Sequence, residues 1–149
     1  MTTYESDIKA ISSSEEVVFN ILSDLSNFQN LQNLNAEDQE KIGGMLNDVQ
    51  FDADSCSFSV QGIGRIGFRI IEREPFKTIK LQSENSPIAV NAWIQLKQVA
   101  ENDTRMKLTL KADLPMMIKM MADKKLKEGI NLVADGLAQA LTNQTTREK

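Results

Sequence analysis

RMKLTLKADLPMMIKMMADKKLKEGINLVADGLAQALT, Arg105 to Thr142, changes its hydrophobic period part-way along. Up to Ala112 the residues alternate, with Met106, Leu108, Leu110 and Ala112 on one side and Arg105, Lys107, Thr109 and Lys111 on the other, which is the period of a half-buried strand. After Pro115 the apolar positions Ile118, Ala122, Leu126, Ile130, Val133, Leu137 and Leu141 recur three or four apart, the stripe of an amphipathic helix that runs to about Thr142. Such a helix is roughly 40 Å long at about 1.5 Å per residue. Strands of the length written here reach only about 20 Å, so a sheet that packs along the helix has to curve around it, and a curved sheet gripping a helix tends to enclose a pocket.

Upstream, the period of two continues. Asp48–Phe51, Cys56–Val60, Ile66–Ile70, a segment around Ile79 and Leu81, and Val90–Leu96 precede the strand that ends at Ala112. Turn signals separate them: Asp52-Ala53-Asp54, Glu74-Pro75, Asn85-Ser86-Pro87 and Glu101-Asn102-Asp103. Spacing of this kind predicts an antiparallel meander. Before it, Tyr4–Ile11 alternates loosely and reads as a first strand. Ser12-Ser13-Ser14-Glu15-Glu16 then writes two overlapping capping boxes, Ser12 with Glu15 and Ser13 with Glu16, ahead of Val18, Ile21, Leu22 and Leu25, so a helix is expected to start there and end near Asn27. A short second helix is expected from Asn35 through Ile42, stopped by Gly43-Gly44. The order is strand, two helices, six strands, long helix: an α+β chain with a curved seven-stranded antiparallel sheet wrapped around its C-terminal helix. Gly129 and Gly136 inside that helix are read as points of close backbone approach, or alternatively of a bend.

Composition narrows the chemistry. The chain has 149 residues and is read as a single domain, 1–149, large enough for its own core. A net charge of -4 lacks the basic footprint of a nucleic-acid binder. The opening residues have no apolar core of a signal sequence, and no run is long enough for stable membrane insertion, so a cytoplasmic location is expected. One cysteine, Cys56, rules out an intrachain disulfide and a multi-thiolate metal site; it reads as a small buried hydrophobe. With no histidine at all, Ser-His and Cys-His nucleophiles and histidine-bound zinc and iron sites are excluded. No metal site, cofactor or catalytic residue is assigned. Carboxylate, lysine or tyrosine chemistry remains open, though no spacing announces it.

The element order resembles the START-like or helix-grip superfamily, also called SRPBCC, which includes START lipid-transfer domains, plant pathogenesis-related allergens and polyketide cyclases. The likeness is closest at Ser12-Ser13-Ser14-Glu15-Glu16-Val17-Val18-Phe19 with Leu22-Ser23-Asp24-Leu25-Ser26-Asn27, and continues at Glu72-Arg73-Glu74-Pro75, Glu128-Gly129 and Gly136-Leu137. These are structural motifs and support the fold more than any activity. The resemblance implies a hydrophobic ligand between sheet and last helix, and an enzyme only in some members.

Several features remain ambiguous. Gly62-Ile63-Gly64-Arg65-Ile66-Gly67 fits G-x-G-x-x-G, but a strand rather than a helix follows, so a hairpin with a bulge or strand bend is the better reading than a nucleotide site. Met116, Met117, Met120 and Met121 suit either an adaptable ligand surface or an irregular core gap. Trp93 shares the parity of Asn91 and Gln95 and is expected on the outer sheet face, where it offers a contact for a partner or for homo-oligomer formation; a bulge would turn it inward. Lys119, Lys124, Lys125 and Lys127 read as a solvated helix face.

The function expected first is a non-catalytic binding or carrier module for a small apolar molecule that is lipid-, isoprenoid- or polyketide-like. Phe58, Phe68, Ile94, Met106, Leu108 and Leu110 from the sheet and Met117, Met121 and Leu126 from the helix are the ligand-binding candidates, with Tyr4, Glu72 and Ser83 as polar anchors. A cyclase- or hydratase-type enzyme using Glu72 or Tyr4 in the same pocket is the alternative. A protein-interaction module built on the outer sheet face near Trp93 is the weaker one.

Overall fold

A computed structural model describes residues 2–28, 46–60, 64–86 and 88–147. Its elements are β1 (Thr2–Glu5), β2 (Lys9–Ile11), α1 (Glu15–Leu22), a short 3-10 turn (Leu25–Phe28), β3 (Leu46–Phe51), β4 (Ser55–Val60), β5 (Gly64–Glu74), β6 (Thr78–Glu84), β7 (Val90–Ala100), β8 (Asp103–Ala112) and α2 (Met116–Arg147). The expected helix from Asn35 to Ile42 lies outside the described residues.

All strands pair antiparallel in one sheet ordered β1-β8-β7-β6-β5-β4-β3, and β2 also lies on β8. The expected first strand is thus broken in two. Glu5 pairs with Thr109 and Lys9 with Met106, so this edge carries one more residue than its partner. Ser6 absorbs the excess: its amide donates to the Leu108 carbonyl at 2.9 Å while its hydroxyl accepts from the Leu108 amide at 2.9 Å, filling the place of a ladder bond. Further register shifts fall between Asn47 and Gln50, Ile70 and Glu72, and Gln98 and Ala100, and such bulges bend and twist the strands that carry them. The result is the curved sheet of an α+β helix-grip fold.

The glycines of the G-x-G-x-x-G match resolve in the same terms. Gly62 and Ile63 lie outside the described residues, but Gly64 opens β5 with φ 112° and Gly67 lies within that strand, so strand follows where a nucleotide fold needs a helix. Gly67 sits where a Cβ would come 2.9 Å from the Glu84 carbonyl oxygen of β6.

Helix α1 starts later than either capping box predicts. Ser14 is the cap, and its hydroxyl accepts from the Val17 amide at 3.3 Å. Three serines in a row can each cap, and tertiary packing chooses among them: starting at Glu15 buries Val18, Phe19, Ile21 and Leu22 together. It also aims Glu15 at Lys77 (3.0 Å) and at the Gln98 amide (3.2 Å), fastening α1 to the β5–β6 turn and to β7. The α-helix stops at Leu22, short of Asn27.

Helix α2 is longer than its stripe foretold. Its C-terminal half carries the deep contacts, with Ala134 and Leu141 fully buried and Ile130 nearly so. The helix runs along the β1–β2 edge and is stitched to it by polar links at one-turn or longer intervals: Tyr4 to Asp123, the Asp7 amide to Asn131, and Lys9 to Asp135. Asp123, Asn131 and Asp135 lie on one i, i+4 row, which a strand can follow along the helix axis.

Candidate functional site

The concave face of the sheet is apolar across β5 to β8 because one parity of each of these strands is. Ile66, Phe68, Ile70, Ile79, Leu81, Val90, Ile94, Leu96, Met106, Leu108 and Ala112 are all buried. Registers align them into rows across the strands. One row runs from Ile70 through Leu81, Ala92 and Leu110 to Tyr4, and beside it lie the shorter rows Cys56-Phe68-Ser83 and Phe58-Ile66. Here the cover is incomplete. Phe58, Ala92 and Leu110 on the sheet, Leu114 before α2, and Ile118 and Leu126 on it are only partly buried against the core. This half-open apolar strip, under the first turns of α2, is the candidate site.

The sequence-derived residues divide across this geometry. Phe68, Ile94, Met106 and Leu108 are sealed in the core. Phe58 stacks on Phe68 with ring centres 5.8 Å apart and, with Leu110 and Leu126, lies in the half-open strip. Met117 and Met121 stand apart, 78% and 71% exposed. Each residue turns a helix by about 100°, and the inward row is occupied by Ile118 and Leu126, so the methionines at 116, 117, 120 and 121 are carried round to the outer side. Neither a ligand-facing nor a core-filling position is what the structure gives them.

Of the polar candidates, Tyr4 reaches the site and is already engaged. It is buried, and its hydroxyl donates to Asp123 Oδ1 at 2.7 Å. Burial and the adjoining carboxylate push the phenol up to about 12, while the hydroxyl and then Lys127 hold Asp123 below the usual carboxylate range. Ser83 faces inward beside Phe68, but its hydroxyl accepts from the Val90 amide at 2.9 Å and closes the β6–β7 connection. Glu72 does not lie on the concave face. The bulge after Ile70 pairs it with Lys80, on the outer side, and it is exposed. Strand parity counted without the bulge puts it inward. Cys56, partly buried on β4, has its thiol pushed up to about 12 by burial and then by Glu84. No group of three or more metal-ligating side chains gathers among the described residues.

On the opposite sheet face Trp93 lies between two lysines, with Lys80 Nζ 5.5 Å and Lys111 Nζ 5.7 Å from its ring. This is the outer position expected from its parity. Both ammonium groups lie within cation–π distance of the indole.

Asp123 is the site residue that sequence reading passes over. It sits in a lysine run and looks like charge relief, and nothing in the sequence connects it to Tyr4, 119 positions away.

The fold and the half-open strip can be set beside known proteins. The family model that matches, over residues 9–146, is that of CoxG, a carbon monoxide dehydrogenase subunit. The chain belongs to the CoxG family. Solved structures support the START-like assignment. Norcoclaurine synthase from Thalictrum flavum, in complex with dopamine and hydroxybenzaldehyde, is similar with a TM-score of 0.66 at 9% identity, over 99% of this chain and 88% of that one. A START superfamily protein from Mycobacterium smegmatis gives 0.57 at 13% identity, over 99% of both chains. A conserved protein from Geobacillus kaustophilus gives 0.61 at 15%, over 98% of this chain and 96% of that one. At these identities the likeness concerns the fold. No curated protein matches this CoxG-family sequence. The family and the neighbours agree on a START-like, SRPBCC-type architecture.

Proposed function

We propose that this CoxG-family protein is a non-catalytic binding or carrier module for a small hydrophobic molecule, lipid-, isoprenoid- or polyketide-like, held between the concave sheet face and the first half of α2. The observation that carries this reading is that Phe58, Ala92, Leu110, Leu114, Ile118 and Leu126, all apolar, are only partly covered where they meet the core. Leaving such surface in contact with water costs about 25 cal/mol per Å², and an apolar guest recovers that cost. The same architecture in START superfamily relatives lends the reading support.

A cyclase- or hydratase-type reaction draws less support from the geometry. A phenol held near 12 and hydrogen-bonded to Asp123 is a poor base at neutral pH, and Glu72 is on the outer face. Native mass spectrometry of gently purified protein, followed by thermal-shift screening against fatty acids, isoprenoids and polyketides, tests the binding reading. A co-purified mass, or stabilisation by one of these classes that is lost in Leu110→Trp, is the expected result. No bound mass and no stabilisation across the panel would overturn it.

A further inference from the structure

Trp93 is the only tryptophan of the chain and stands half-buried on the outer sheet face, at the centre of a regular patch. The registers put Lys80 of β6 and Thr109 of β8 directly beside it, and Lys107 and Lys111 of β8 diagonal to it. The other outer positions around the ring are Thr78, Gln82, Asn91 and Gln95, all neutral. Three lysines and no acid thus surround one indole, on a chain whose net charge is -4. Lys107 is paired with Glu5 at 3.1 Å. Lys80 and Lys111 form no ion pair among the described residues, and their amines stand 5.5 and 5.7 Å from the ring instead. Lys80 does so although Glu72 is its cross-strand neighbour on β5.

We propose that this patch is a docking surface for a short acidic segment of a partner protein, with Trp93 as the apolar anchor and Lys80 and Lys111 as the charges that hold it. Tryptophan is among the side chains that dominate binding energy once water is excluded around them, and charges at the rim steer the encounter and fix its register. Two ammonium groups without a counter-charge call for carboxylates. Three strands about 4.8 Å apart and five residues along each make a patch of about 10 by 14 Å, small beside the roughly 800 Å² that each partner of a stable pair buries, so the charge pattern is the size of a segment rather than of a domain. Acids return at its flanks, with Glu5 beyond Thr109 on β1 and Glu72 beyond Lys80 on β5, which confines a negative segment to the ring. A second copy of the chain would bring its own lysines against these. A nucleic-acid strand would carry its phosphates over Glu5 or Glu72, and the patch has one aromatic ring where a run of stacked bases needs several. The proposal is independent of what the concave face holds.

The emission of Trp93 reports this patch directly, because the chain has no other tryptophan. Titration of the full chain with poly-L-glutamate is expected to shift and quench that emission to saturation, and salt at about 1 M, where the screening length falls to about 3 Å, should reverse the change. Lys80→Gln with Lys111→Gln should weaken binding roughly tenfold, the scale of two exposed ion pairs. Lys80→Arg with Lys111→Arg should restore it, which separates lost charge from a disturbed fold. Lys124→Gln with Lys125→Gln, on α2, should leave the titration unchanged. No emission change with polyglutamate, an unaltered response in the Lys80 and Lys111 glutamine variant, or a response lost in the α2 variant instead would overturn the proposal. An equal or tighter response to polyuridylate would also overturn it and mark a nucleic acid as the occupant. So would a dimer of the parent in sedimentation that Trp93→Ala dissociates, which would assign the patch to a second copy of the chain.

Discussion

Tyr4 and Asp123 link the first strand directly to the open half of α2, and their titrations define when that link holds. Asp123 has its pKa lowered, so its contribution is complete above the range where an unfolded carboxylate titrates, about pH 4, and fades as pH falls through its lower folded value. The Tyr4 pKa is raised from 10.0 to about 12, so its contribution is complete below 10 and is lost as pH rises towards 12. Tyr4→Phe is therefore expected to lower the melting temperature across the middle of the pH range, with the gap to the parent narrowing in acid and again in strong base. Thermal melts of the two proteins from acid to alkaline pH check this; a gap that does not change with pH would assign the loss to packing instead. Tyr4 is legible in the sequence as the lone tyrosine and a candidate polar anchor, but its partner is not, because a bond across 119 residues leaves no local pattern.

Among the elements, β5 carries the most decisive local geometry. Gly67 approaches the Glu84 carbonyl so closely that a methyl group there meets backbone at 2.9 Å. Gly67→Ala should cost about 1–3 kcal/mol, the usual range for overpacking, read as a lower urea midpoint with an unchanged slope; no measurable cost would mean that β5 and β6 can separate freely there. Strand order and helix position are readable from periods of two and 3.6, because burial of one face enforces them over many residues. The bulge after Ile70 is not, since one inserted residue changes no composition and yet turns Glu72 to the other face. The cap of α1 departs from both capping boxes for a related reason. Local rules favour Ser12 or Ser13, each with a glutamate three residues on, and the burial of Val18, Phe19, Ile21 and Leu22 goes with Ser14 instead.

The molecule as a whole is fastened unevenly. In the second half of α2 Ile130, Ala134 and Leu141 are buried beside the partly covered Val133, Leu137 and Ala138, while the first half offers Ile118 and Leu126 partly covered and four methionines in water. Amides of 116–126 should exchange with solvent faster than those of 130–141, because local opening there exposes less buried apolar surface. Hydrogen exchange followed by mass spectrometry resolves the two halves, and equal protection would mean that the helix opens as one unit. The helical stripe in the sequence marks both halves alike. Its failure to separate them is physical: the same three- and four-residue spacing describes a row that faces a packed core and a row that faces a gap.

The seam that ties Tyr4, Asp7 and Lys9 to α2 also bears on the order of assembly. Its hydrogen bonds close loops of 119 and 124 residues, whereas the β4–β8 hairpins close over short turns. Chain closure on that scale carries an entropic cost before any contact returns it. The expected order is that the meander forms while α2 is still free and the grip on the helix follows, when the two distant parts of the chain meet.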